Sequence, residues 1–271
     1  MNNPEITPVA AQRRHTLFFL REFRSISPVF LDTEVDARAL LAHRASAAQD
    51  GRRYSIVSYL LQVGGRVLAA HPEANAAMTG GLWPKVARFP SVAGKLALDR
   101  RIGGKRVVLA AVLPGLEHAG LDAIQDQVEH YRDGDPDTMS EFAGARKLHS
   151  LPALIGRVAY RKVVRPLAGR ARVLGTFSVT SLGHRPVDGF HSVGGTTITL
   201  GVGRIAERAV VVDGEVAVVP TFRLSLAFDH RVIDGAEAAD VLADLVEGLT
   251  HYGKDEPVAA KARAIEETAV R

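Results

Sequence analysis

Apolar and polar positions along this chain recur with two different periods, and together they predict helices interspersed with strands. The clearest helical period runs from Ser55 to Ala70. There Ile56, Tyr59, Leu60, Val63, Val67 and Leu68 fall on one broad face, and His71-Pro72-Glu73 ends the run. Gly64-Gly65 in its middle either lets another backbone come close or weakens the helix. Upstream, Gln12 to Leu20 has the pattern of a short helix turning Leu17, Phe18 and Leu20 inward. Val29 to Asp36 alternates as a strand, and Ala37 to Gln49 is helical until Asp50-Gly51 stops it. Downstream, Val107 to Leu113 is a near-continuous apolar run, the pattern of a buried strand, and Leu121 to Tyr131 is a helix closed by Asp133-Gly134. Residues 150 to 170 predict one basic amphipathic helix, in which Arg157, Arg161, Lys162 and Arg165 are most simply a solvated face.

The last third reads as sheet. Gly175 to Thr180 and Thr196 to Gly203 are rich in β-favouring residues. Ala209 to Val212 and Glu215 to Val219 flank Asp213-Gly214, the dipeptide of a type I′ hairpin turn. A further strand, Arg223 to Phe228, precedes a helix from about Ala236 to Leu249. Helices mixed with many strands, without strict βαβ alternation, predict an α+β fold in one compact domain over residues 13–252. Residues 1–12 form a polar lead-in and residues 253–271 a tail that is either a surface helix or frayed.

Composition narrows the chemistry. In 271 residues with 46% hydrophobic content there is room for a substantial core. The absence of cysteine excludes disulfides and thiolate nucleophiles, and the 10 histidines show no metal-ligand spacing, so no metal is expected. A net charge of +4, from 34 basic residues scattered among 30 acidic ones, implies no nucleic-acid partner. No basic leader followed by an apolar stretch opens the sequence, and no run approaches the roughly 20 apolar residues of a membrane span, so the expectation is a cytoplasmic protein without a membrane partner.

The most informative stretch is Phe228-Asp229-His230-Arg231-Val232-Ile233-Asp234-Gly235-Ala236, between the last strand and the last helix. It places an imidazole where a strand stops, which holds the side chain still and leaves it reachable. Asp234 with Glu237 three residues on is also a capping-box pattern for the helix. The same His-Arg-x-[Val/Ile]-Asp-Gly pattern recurs at His184-Arg185-Pro186-Val187-Asp188-Gly189. There Pro186 disturbs the backbone, and the repeat is read as coincidence or a substrate loop.

Asp229 to Gly235 resembles the His-x-x-x-Asp-Gly signature of the chloramphenicol acetyltransferase fold, in the Asp-His-Arg form of the dihydrolipoamide acyltransferase cores of 2-oxo acid dehydrogenase complexes. Three further segments match that family in order and almost in spacing: Gly175 to Gly183, Leu200 to Ile205 and Val211 to Val216. More loosely, Asp32 to Asp36 and the Ala70-His71-Pro72-Glu73 segment match its N-terminal half.

The resemblance implies a fold, a reaction and roles. His230 is the general base that takes a proton from the thiol or hydroxyl attacking an acyl thioester, a task suited to a group whose free form titrates near ~6.5. Thr180 supplies the hydroxyl that stabilises the tetrahedral oxyanion. Asp234 is architectural and pairs with an arginine, with Arg14 or Arg13 as the candidate. Relatives form trimers in which the histidine and the hydroxyl donor come from different subunits. Acetyl-CoA is the implied acyl donor, and a homotrimer is the implied assembly. Against the family pattern, the sequence carries no lipoyl domain, and the Asn-Pro-rich loop of relatives is replaced by Phe190 to Gly195. A stand-alone acyltransferase that acetylates a small-molecule alcohol, as in tetronate pathways, is therefore expected ahead of a core serving a lipoyl domain in trans.

Overall fold

The structure, a computed structural model, describes residues 3–253. A single 3-10 turn leads into helix α1 (Arg14–Glu22), strand β1 (Pro28–Asp36) and helices α2 (Arg38–Gln49) and α3 (Ile56–Ala70). Four strands follow, β2 (Ala76–Thr79), β3 (Lys85–Arg88), β4 (Gly94–Ile102) and β5 (Lys105–Leu113). Next come helices α4 (Leu121–Asp133), α5 (Ala143–Ser150), α6 (Ala153–Val164) and α7 (Leu167–Leu174). Strands β6 (Phe177–Ser181), β7 (Ile198–Val202), β8 (Ala206–Val212) and β9 (Glu215–Asp229) lead to the closing helix α8 (Gly235–Thr250). Seven strands form one mixed sheet in the order β1-β9-β7-β6-β4-β5, with β8 on β9, and β2 and β3 pair separately. The fold is α+β.

The sheet has two chemically different faces, because alternate residues point to opposite sides. On one, Phe177, Val179, Ile198, Leu200, Leu224, Leu226 and Phe228 are essentially inaccessible and join one core with Tyr59 and Leu60 of α3 and Val241 and Leu245 of α8. Burying each such side chain contributes about 1.5–3 kcal/mol, and this is why the helical period of α3 was so strong. On the other face the register lines up Lys95 with Ser178, Ser178 with Thr199, Thr180 with Gly201, Gly201 with Ser225 and Ser225 with Asp32. That face is polar, yet Lys95, Ser178, Thr199 and Ser225 are buried in it.

Most expected elements are present within a residue or two. Ser55 caps α3 by accepting from the Ser58 amide at 3.1 Å. A side chain on Gly65 would meet the backbone of Leu116, so the glycine pair marks a close approach. Asp213 and Gly214 have φ of 52° and 86°, the left-handed pair a type I′ turn requires. The two strands expected over 215–219 and 223–228 are one strand, β9, which passes through Pro220 just beyond its last pair with β1, Asp36 to Thr221.

Three expectations are corrected. The segment 150–170 is not one helix: Pro166 ends α6, because its ring cannot follow a helical turn, and caps the separate α7. β5 is an edge strand with alternating burial, so Val108 is exposed despite the apolar run. Helix α1 turns Phe18 towards Gly156 and Tyr160, whereas Leu17 and Leu20 face outward. The basic face is solvated as expected, with Lys162 and Arg165 exposed, and Arg161 and Arg165 both pair with Glu22 of α1. The tail from residue 254 lies outside the described residues.

His71, which stops α3, also ties it to α8. Its Nδ1 lies 3.0 Å from Glu237 and its Nε2 2.9 Å from Asp244. Burial lowers its pKa most, but the hydrogen bonds and charges of Asp244 and Glu237 outweigh that, and the net shift is upward. A raised native pKa means the imidazolium stabilises the fold fully below the unfolded value near ~6.5 and ceases to do so as pH rises through the native one. His71→Ala should therefore cost about 1–2 kcal/mol at pH 6 and less at pH 9, measured by urea denaturation at both pH values. An equal cost at both would refute the charged clamp.

Candidate active site

His230 immediately follows β9, and its backbone is fixed from two sides. The amide of His230 donates to the Ser27 carbonyl at 3.0 Å, while the buried Asp229 carboxylate accepts from Arg231 Nε at 2.8 Å and Nη2 at 2.6 Å. Arg231 Nη1 reaches on to Ser25 Oγ at 3.2 Å. The turn is thus held internally by a buried bidentate ion pair, the strongest form of side-chain hydrogen bonding, and stitched to the segment entering β1 by the His230 amide and by Arg231 Nη1. The ring itself is 45% exposed and sits 5.5 Å from that of Phe228, centroid to centroid. Its Nδ1 lies 3.4 Å from Asp234 Oδ1, within ion-pair reach. A fixed backbone with an open ring suits a group that must exchange protons with a visiting molecule.

Asp234 occupies the N-cap position of α8 but makes no side-chain cap, so the capping box does not form; Glu237 bonds to His71 instead. The expected pairing of Asp234 with Arg14 is not made either. Arg14 Nη1 donates to the carbonyls of His149 at 2.7 Å and Leu151 at 2.6 Å. The arginine–aspartate pair of this motif is local, Arg231 with Asp229. Arg14 also helps, after burial and His15, to hold the His149 imidazole down to about 4.

Thr180 lies on the polar face of β6, and its hydroxyl makes no hydrogen bond among the described residues. It faces Gly201, which faces Ser225. His230 is five residues beyond Ser225 along β9, so roughly 16 Å of strand separates the two groups within one chain. They are not brought together in a single copy.

Beside Thr180 runs a strap, residues 183–195. The Arg204 amide donates to the Val187 carbonyl at 2.8 Å, and the Gly194 amide to Thr199 Oγ1 at 2.9 Å. Gly201 and Gly203 permit its passage, since a side chain at either would run into the carbonyls of Phe190 and Asp188. The repeated His-Arg-x-Val-Asp-Gly motif falls in this strap. His184 is exposed, and Asp188 is held by Arg204 at 2.8 Å and Arg208 at 3.2 Å. Further along, His191 lies 3.5 Å from Asp32 and stacks edge-on against Phe30.

One group not singled out by sequence reasoning stands out. Lys95 of β4 is 6% exposed, donates to the Gly194 carbonyl, and has its ammonium 5.0 Å from the ring centre of Phe19. Burial alone pushes it down to about 7. Lysine in a strand with several other charged residues reads as surface, and nothing in the sequence marked it. Among the described residues no three His, Asp or Glu side chains are grouped to hold a metal ion.

The chain has the chloramphenicol acetyltransferase-like fold: it superposes on chloramphenicol acetyltransferase with a TM-score of 0.51 at 16% identity, covering 92% of this chain and 99% of that one. It superposes better, with a TM-score of 0.68 at 18% identity over 94% and 97%, on a probable dihydrolipoamide acetyltransferase from Listeria monocytogenes. Within that fold class, residues 171–254 match the family of 2-oxoacid dehydrogenases acyltransferase (catalytic domain). A stretch of 43 residues is 60% identical to the dihydrolipoyllysine-residue acetyltransferase component of the Bacillus subtilis pyruvate dehydrogenase complex. That stretch spans 16% of this chain and 10% of the relative. The sequence match is thus concentrated in the part that carries Thr180, the strap and His230, and the likeness of the N-terminal half lies in the fold.

Proposed function

We propose that this protein is an acyltransferase that moves an acetyl group from acetyl-CoA to the hydroxyl of a small molecule. The observation that carries this reading is His230: an open imidazole, anchored at the end of β9, in a segment matched by an acyltransferase family. The ring accepts the proton of the attacking hydroxyl as oxygen bonds to the thioester carbonyl, then returns a proton to the departing CoA thiolate. Thr180 donates to the oxyanion formed between those steps, and Asp234, 3.4 Å from Nδ1, steadies the ring.

Because Thr180 and His230 are far apart in one chain, the site is composite, with each copy lending its Thr180 to the His230 of a neighbour in a homotrimer. The hairpin of β8 and β9 supports assembly: Val211, Val216 and Val218 are 69–76% exposed, an apolar arm that a second copy would cover. Acetyl-CoA enters as co-substrate, and no residue here is assigned to hold it.

The choice of a hydroxyl acceptor, such as one on a tetronate-like natural-product intermediate, is supported by the strap: Phe190 to Gly195 differs from the Asn-Pro-rich loop of relatives and lies beside Thr180. The same geometry serves the thiol of a dihydrolipoyl group on a separate domain, and the curated relatives favour that second reading. Purified protein assayed for CoA release with acetyl-CoA should turn over with hydroxylated acceptors at least ten times faster than with dihydrolipoamide. The reverse order would establish the lipoyl reading, and no turnover with either would end both.

A further inference from the structure

We infer that Lys95 is a positioning residue for this proposed reaction: its side-chain nitrogen, as a hydrogen-bond donor, pins the strap of residues 183–195 over the polar sheet face and so shapes the wall beside Thr180. The inference rests on the acyl-transfer reading for its catalytic part and on geometry alone for its structural part.

Five observations converge. Lys95 stands opposite Ser178 in the register of β4 and β6, and Ser178 and Thr180 share a face two residues apart, so lysine and threonine belong to one surface. The side-chain nitrogen donates to the carbonyl of Gly194, the penultimate residue of the strap. The amide of that glycine is held by Thr199 Oγ1 at 2.9 Å, and the neighbouring hydroxyls are tied together, with Ser178 Oγ 2.8 Å from Thr196 Oγ1. From this anchor the strap runs back over β7, its Phe190 carbonyl closing on Gly201, the residue paired with Thr180. Phe19 of α1 caps the ammonium from the other side and also packs near Gly195.

A lysine is an expensive way to make such an anchor. Charged groups are rarely buried unless paired, and among the described residues no carboxylate pairs with this one; burial is the sole cause of its lowered pKa. A Met at this position would fill similar space without the penalty. A residue kept against stability, at the edge of a candidate site, is the signature of function.

The test uses the full-length protein and the variants Lys95→Met and Lys95→Gln. Hydrogen exchange comes first, because it needs no activity: amides of residues 183–195 should exchange at least tenfold faster in Lys95→Met, while the melting temperature rises by about 5 °C or more. Wild-type stability should also climb between pH 7 and 10, because the native lysine gives up its proton near 7 and the unfolded one near 10.5; the Met variant should lose that slope. In the transfer assay kcat/KM should drop roughly 10–100-fold in Lys95→Met and recover in part in Lys95→Gln, whose amide still donates to Gly194.

Stability and activity moving in opposite directions is a result a merely structural lysine does not give. Unchanged exchange in the strap, or full kcat/KM in a more stable Met variant, overturns the inference. So does a Met variant that loses stability and activity together with no rescue by Gln. If wild-type protein transfers no acyl group, the reaction falls, and the exchange measurement alone decides whether Lys95 pins the strap.

Discussion

His230→Gln should lower acetyl transfer by about 10²–10⁴-fold while leaving the melting curve unchanged, because the substitution removes a proton acceptor and little else. The ring is 45% exposed, and its nearest charged neighbour, Asp234, is 89% exposed, so neither supports the core. What holds the turn in place is the backbone bond from His230 to Ser27 and the Arg231–Asp229 pair, and glutamine keeps both. The loss should fall on kcat, since an imidazole that moves protons acts on the transition state more than on bound substrate. The matching control is His184→Gln in the repeated motif, expected to retain more than about half of wild-type activity: His184 is exposed and the aspartate of its motif is spent on Arg204 and Arg208. If His184→Gln abolished turnover and His230→Gln were tolerated, the base would have been assigned to the wrong copy of the motif.

The contrast between those two motifs shows what a sequence can and cannot disclose. Both spell His-Arg-x-[Val/Ile]-Asp-Gly, and the setting of the second could be read locally: a strand of alternating apolar residues before it, a periodic helix after it. Local order of that kind was legible in many segments, from the type I′ turn at Asp213-Gly214 to the apolar face of α3, because it follows from two periods and a few turn residues. Long-range pairing was not. That Arg14 would spend itself on the carbonyls of His149 and Leu151, and that the arginine for this turn would be Arg231, depends on which elements meet in space. β4 was invisible because Asp99, Arg100 and Arg101 interrupt its apolar pattern, and β5 was misjudged because an edge strand can be apolar on both faces. Lys95 is the extreme case. Its type announces solvent, and only the sheet register, which puts it opposite Ser178 under the strap, shows that it is buried.

Thr180→Val should reduce transfer by about 10²–10³-fold, the cost of one oxyanion donor, and the more telling result is what happens when it is mixed with a His230 variant. The register fixes Thr180 at the Ser225 level of β9 and His230 five residues further on, roughly 16 Å away, too far for both to act on one carbonyl carbon. If each site takes His230 from one copy and Thr180 from the next, a site joining a Thr180→Val subunit's histidine to a His230→Gln subunit's threonine is intact. Co-expressed in equal amounts with two affinity tags, and purified through both so that only mixed trimers remain, the inactive parents should recover about a third of wild-type activity per site. Sites confined to single chains predict no recovery at all, since every chain then carries a defect. The valine itself is a mild change, isosteric and well suited to a strand, on a residue whose hydroxyl bonds to nothing else described, so a stability loss large enough to mimic inactivity is not expected. Full activity in Thr180→Val would remove the threonine from the mechanism. Weak variants whose mixture stays at the parental level would keep the threonine and remove the neighbour.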